Sequence, residues 1–157
     1  MEIKVGTYEL HWVNFCGGLL ALGHRPGKRL RKQLIAQGCT LVVNLLSDNE
    51  SNADPSPNRL RLPLHTAAPP DESRDNEVLL ALQRIRMQLA DNGKVFIHCS
   101  AGLHRTGMIA YALCRFSGLD RQESISLIEE LHTLTATELT ETRIAWAERF
   151  TNGEYAE

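Results

Sequence analysis

Between Lys94 and Leu113 the chain reads Val95-Phe96-Ile97, then His98-Cys99-Ser100-Ala101-Gly102-Leu103-His104-Arg105-Thr106-Gly107, then Met108-Ile109-Ala110-Tyr111-Ala112-Leu113. A short apolar run of β-formers, a small-residue turn and a helical apolar pattern predict a buried strand that delivers a loop to a helix N-terminus. That unit constrains the chain more than any other. It calls for an α/β domain, and it aims the unpaired N–H groups of a helix start at whatever the loop encloses.

Cys99 and Arg105 stand six residues apart across this loop. Successive backbone N–H groups form a concave anion site, and a planar guanidinium grips two phosphate oxygens in parallel. A thiol attacks only once ionised, and a helix N-terminus with nearby cations favours the thiolate. The Cys-to-Arg spacing alone is a weak signal in an arginine-rich chain. The context carries the reading: a strand before, His98 beside the cysteine, Gly102 in mid-loop, Thr106-Gly107 after Arg105 and an apolar helix beyond.

The run His98-Cys99-x-x-x-x-x-Arg105-Thr106-Gly107 resembles the signature of the cysteine-dependent protein tyrosine phosphatase superfamily, and the short chain resembles its dual-specificity-like branch. The resemblance is tight over residues 94–113 and looser over residues 11–131. It implies a three-layer phosphatase domain that hydrolyses phosphomonoesters through a phosphocysteine, without metal or cofactor. The expected substrate is a phosphorylated protein or peptide, carrying phosphotyrosine with or without phosphoserine and phosphothreonine. Carried over by position, Cys99 is the nucleophile and Arg105 clamps the phosphoryl oxygens. Ser100, Ala101, Gly102, Leu103 and His104 supply loop amides, Thr106 hydrogen-bonds the Cys99 sulfur as leaving group, and His98 tunes the thiolate from behind.

The resemblance also implies a loop aspartate that protonates the leaving oxygen. Asp71, after Pro69-Pro70, is the first choice, with Asp75, Glu72 and His65 as alternatives. Here the chain departs from the familiar pattern, which places the aspartate directly after the strand, where this chain has His65 and Thr66. His104 either fixes the loop or contacts substrate. Arg143 reads as a surface residue, with reach to the loop as the other option.

Other readings keep parts of this chemistry. The same displacement could act on a phosphoinositide or an RNA 5′ end, although of residues 100–104 only His104 can carry charge. An arsenate reductase or sulfurtransferase is disfavoured by Thr106-Gly107. A non-catalytic phosphate-binding module needs only the anion loop and Arg105.

Length and charge set the remaining bounds. A chain of 157 residues can bury a substantial core as one domain spanning 1–157. Net charge is −2, so no global field points to nucleic acid or a membrane surface. Residues 1–32 hold six basic and two acidic side chains, and residues 120–157 three and nine, which reads as solvated helix faces or as a basic rim that guides anionic substrates. Cysteines 16, 39, 99 and 114 form no C-x-x-C pair, so neither zinc nor a redox pair is expected. Cys39 and Cys114 read as core residues, with a protective disulfide to an oxidised Cys99 as the alternative. With no apolar leader and no membrane-length run, the expectation is a reduced cytoplasmic monomer without stable nucleic-acid partners.

The remaining pattern predicts a central, mainly parallel sheet of four to five strands flanked by helices. Strands are expected at Tyr8–Val13 with Trp12 as an anchor, within Phe15–Gly23, at Thr40–Leu46, at Arg59–His65 and at Lys94–Ile97. Helices are expected over 28–37 with Leu30, Leu34 and Ile35 inward, over 76–90 with Leu79, Leu82, Ile85 and Leu89 inward, and over 106–116. A capping box at Asp120 and Glu123 opens another helix, which buries Ile125, Leu127, Ile128 and Leu131. Residues 50–58 read as a loop, 133–137 as a β-branched interruption, 138–150 as a last helix and 151–157 as a flexible tail.

Overall fold

The computed structural model describes residues 10–50 and 58–153. Five strands form one sheet: β1 (Val13–Phe15), β2 (Gly18–Gly23), β3 (Leu41–Asn44), β4 (Arg59–Arg61) and β5 (Lys94–His98), in the order β1-β2-β5-β3-β4. β2, β5, β3 and β4 run parallel, and β1 pairs antiparallel with β2 at one edge. The mainly parallel α/β sheet expected from the sequence is therefore present, with β5 at its centre.

Side-chain alternation along the strands sorts the core into two layers. Leu20, Leu22, Leu41, Val43, Val95 and Ile97 face the larger one, shared with α2 (Asp75–Ala90), α3 (His104–Phe116), α4 (Arg121–Leu131) and α6 (Glu141–Ala147). Ala21, Val42 and Phe96 face the other, where Leu30 and Leu34 of α1 (Lys28–Ala36) cover them. Ile35 is 75% exposed rather than inward. Leu30 and Leu34 are one turn apart and suffice for the narrow contact, and Ile35 projects a further 100° around the helix.

Several boundaries shift for local reasons. Trp12 precedes β1 and anchors it by donating Nε1–H to Gln37 Oε1 (2.7 Å), while residues 8 and 9 of the expected strand lie outside the described residues. β4 stops at Arg61, but Leu62 N and Leu64 N still donate to Asn44 O and Leu45 O, with Pro63 between them having no N–H to offer. The 133–137 stretch is a short helix, α5 (Thr133–Thr137), whose start is capped by the His132 ring accepting from Thr135 N at 3.2 Å. The last helix is shorter than expected: α6 runs from Glu141 and passes at Glu148 into a 3₁₀ segment that continues to Gly153. Residues 151–153 belong to that segment, and residues 154–157 lie outside the described residues.

α3 is held along its length. Its predicted inward residues Met108, Ile109, Ala112, Leu113 and Phe116 are all buried, and Tyr111 Oη donates to Glu148 Oε1 at 2.6 Å. Arg115 Nε closes the same carboxylate at 2.7 Å, fixing α3 to the C-terminal segment. Cys114 is an interior residue whose thiol is pushed up to about 12 by burial, and all four cysteines are free. Among the described residues no helix is long and apolar enough to cross a membrane.

Candidate active site

The site lies beyond the carboxyl end of β5. Cys99 is buried at the base of the loop, and Thr106 Oγ1–H donates to its sulfur at 3.0 Å. α3 begins at His104, two residues earlier than the periodicity suggests, so Arg105 and Thr106 occupy its first turn. Leu103, the residue before the helix, caps none of the first-turn N–H groups with its side chain. Those donors are available to an anion in the loop.

The loop is braced from outside. Ser100 O accepts from Arg25 N at 3.0 Å, and Gly102 O accepts from Thr135 Oγ1 at 2.8 Å. Gly102 has φ +78°, and a Cβ there would lie 2.4 Å from the carbonyl carbon and oxygen of Gly23. Only glycine fits this position, on both counts. His98 is buried at the end of β5, stacked on Phe96 with centroids 5.7 Å apart, its Nδ1 3.4 Å from Cys99 O.

Arg105 is held by a residue that sequence reasoning left in a loop. Its Nη1 donates to Glu50 Oε1 (2.6 Å) and Leu64 O (2.8 Å), and its Nη2 donates to Glu50 Oε2 (3.1 Å). Glu50 is itself fixed by Ser47 N and Ser47 Oγ. Arg105 holds the Glu50 carboxyl at about 2, with Ser47 assisting, and Glu50 in turn raises the Arg105 pKa, with a smaller contribution from the Cys99 sulfur. A guanidinium carries five donors. Glu50 and Leu64 use both on Nη1 and one on Nη2. Nε–H and the second Nη2–H are used by neither, and the guanidinium also lies within hydrogen-bonding reach of the Cys99 sulfur, so its adjacent edge can meet two phosphoryl oxygens beside the nucleophile.

His104 Nε2 lies 3.0 Å from Glu138 Oε1, so its ring is engaged with the α5–α6 turn, which supports loop fixing over substrate contact. Arg143 does more than cover surface: Nε donates to Ala67 O (2.8 Å) and Nη1 to Glu138 O (2.9 Å), tying the 66–70 loop to that same turn. Glu50, Thr135 and Glu138 were the residues missed. No local signal marks them, since each acts through a contact distant in sequence.

The candidates for the acid separate by environment. Asp71 is exposed and accepts from Ser73 N at 2.9 Å, and hydrogen bonds from the Ser73 side chain and backbone hold its carboxyl below the usual range. Asp75 is buried, begins α2 and pairs with Arg149, which occupies it structurally. Glu72 is exposed, 3.7 Å from Arg149, and His65 is exposed on the loop. Among the described residues no cluster of three or more His, Cys, Asp or Glu side chains could hold a metal ion.

Over residues 27–154 the chain matches the tyrosine phosphatase family, and it belongs to that family. Among solved structures it resembles Tk-PTP in its active form, with 22% identity, a TM-score of 0.71 and coverage of 87% of this chain and 94% of the other. It resembles DUSP15 with 18% identity, a TM-score of 0.65 and coverage of 94% and 88%. It also resembles a Cys→Ser form of P. aeruginosa TpbA in complex with phosphotyrosine, with 26% identity, a TM-score of 0.55 and coverage of 85% and 78%. No match is found among curated protein sequences. The fold is thus the phosphatase-type α/β domain expected from the sequence.

Proposed function

We propose that this protein hydrolyses phosphomonoesters, phosphotyrosine among them, by two in-line displacements at Cys99. The Cys99 sulfur attacks phosphorus, forming an S–P bond as the ester P–O bond breaks, and the leaving oxygen takes a proton from Asp71. Water then attacks phosphorus and gives a proton to the Asp71 carboxylate, the S–P bond breaks, inorganic phosphate departs and the sulfur regains its electron pair. Thr106 stabilises the sulfur in that second step through the bond it makes to it. The observation that carries the reading is the coincidence of two geometries: a sulfur held by Thr106 at 3.0 Å, and an Arg105 oriented by Glu50 with one two-donor edge left over. The phosphotyrosine complex of TpbA, a similar fold, supports tyrosine as the first ester to try.

A panel of a small aryl phosphate, phosphotyrosine and phosphothreonine peptides, a phosphoinositide and 5′-triphosphorylated RNA tests the reading directly. Turnover of the aryl phosphate and the tyrosine peptide is expected. Oxyanion binding without turnover of any member would make the chain a phosphate-binding module instead.

Asp71 is assigned the proton by its place in the loop after β4, and its exposure leaves it no burial to hold that proton. Asp71→Ala is expected to slow esters with poor leaving groups by about 10²-fold and those with good ones little. An equal effect on both, read from kcat across a leaving-group series, removes Asp71 as the acid.

A further inference from the structure

We propose that Thr135, outside the signature, is a positioning residue for the anion loop: its hydroxyl holds the Gly102 carbonyl outward and so turns the Leu103 N–H into the pocket. The inference rests on the phosphatase reading above and adds a residue to it. In a trans peptide the C=O of one residue and the N–H of the next point in opposite directions across one rigid plane. Fixing the oxygen therefore fixes the hydrogen. Thr135 Oγ1 lies 2.8 Å from Gly102 O and the side chain is fully buried, so no water competes for that carbonyl from the Thr135 side.

Gly102 is the place where such a brace matters. Its φ of +78° and its contact with the Gly23 backbone are open to glycine alone, and glycine has the weakest intrinsic preference for any one peptide orientation. Two planes earlier, Arg25 N holds Ser100 O at 3.0 Å, which turns the Ala101 N–H inward in the same way. The loop's concavity is thus imposed from β2–α1 on one side and from α5 on the other.

The Thr135 side chain has a second contact that must be kept apart from the first. Its methyl lies where a Cβ on Gly107 would come within 3.0 Å, so it packs α5 on α3. His132 meets the hydroxyl as well. With Nδ1 bare, the ring accepts from Thr135 N at 3.2 Å; with Nδ1 protonated, it donates to Thr135 Oγ1 at 2.8 Å, leaving the hydroxyl hydrogen for Gly102. With Nδ1 bare, the ring nitrogen 2.8 Å from Oγ1 is a second acceptor for the one hydroxyl hydrogen, so the Nδ1-protonated form is the one that commits the hydroxyl to Gly102.

The test compares Thr135→Ser with Thr135→Ala. Both lose the methyl, and only serine keeps the hydroxyl. Tungstate binding by calorimetry, an oxyanion readout independent of turnover, is measured on the full chain beside kcat and KM for an aryl phosphate, below the melting temperature of each variant. Thr135→Ala is expected to weaken tungstate by about tenfold and to lower kcat/KM by a similar factor, while Thr135→Ser stays within about threefold of wild type. Should the alanine variant not fold, Thr135→Val replaces it, since valine keeps the shape and lacks the hydroxyl. Equal tungstate affinity in the serine and the alanine or valine variants, with wild type active, overturns this role alone. A wild-type chain that neither binds tungstate nor turns over ester overturns the phosphatase reading, and this role with it.

Discussion

Cys99→Ser is expected to abolish turnover of a small aryl phosphate, by on the order of 10⁴-fold or more, while leaving tungstate or phosphate bound. The two halves of that result have separate causes. Turnover needs a sulfur that forms and then releases the bond to phosphorus, and a serine hydroxyl is a far weaker acid than a thiol and a poorer leaving group. Binding needs the loop amides and Arg105, and the braces on that loop run to Ser100 O and Gly102 O rather than to the Cys99 side chain. Steady-state assay and calorimetry on one preparation decide it. Turnover at the wild-type level would take Cys99 out of the mechanism.

Arg105→Lys is expected to be nearly as damaging as Arg105→Ala, each lowering kcat/KM by roughly 10²–10³-fold. Charge is not the shortfall, because lysine keeps it. Arg105 satisfies Glu50 and Leu64 O at one end and still offers two donors at an adjacent edge, which an ammonium on a flexible stem cannot do at once. A lysine drawn to Glu50 would leave the phosphoryl oxygens; one drawn to the phosphoryl group would leave a carboxylate without its partner. Substantial rescue by lysine in kcat/KM assays would show that the fork is not used. The Glu50 hold survives acid conditions: with its carboxyl at about 2, its contribution is complete above the ordinary carboxylate value and is lost only as pH falls toward 2. An acidic limb in the activity profile at higher pH therefore belongs to another group.

The strand, loop and helix around Cys99 were legible in the sequence because their signals are local. Val95 to Ile97 and Met108 to Phe116 carry their own periodicity, and Gly102 marks a backbone position no other residue fills. α2 was legible for the same reason: Leu79, Leu82, Ile85 and Leu89 repeat at helical spacing and all are buried. Glu50 was not, since it follows a turn, precedes a proline-bearing stretch and finds Arg105 only when β3, β4 and β5 have assembled. α5 was missed because threonine-rich segments read as strand or loop, and its cap is a histidine rather than serine, threonine, aspartate or asparagine. Asp75 illustrates the converse. Its place after the loop made it an acid candidate, and only the fold reveals the Arg149 pairing that occupies it.

The outside braces on the loop also bear on what a signature of this kind is worth by itself. Arg25, Glu50, Leu64 and Thr135 come from four separate stretches of chain, one of them more than seventy residues before the cysteine, and each fixes part of the loop or its guanidinium. A peptide cut from residues 94–116 would spell the motif in full and have no reason to curl around an oxyanion. Gain and loss of catalysis in such chains can therefore be written far from the letters a pattern search reads.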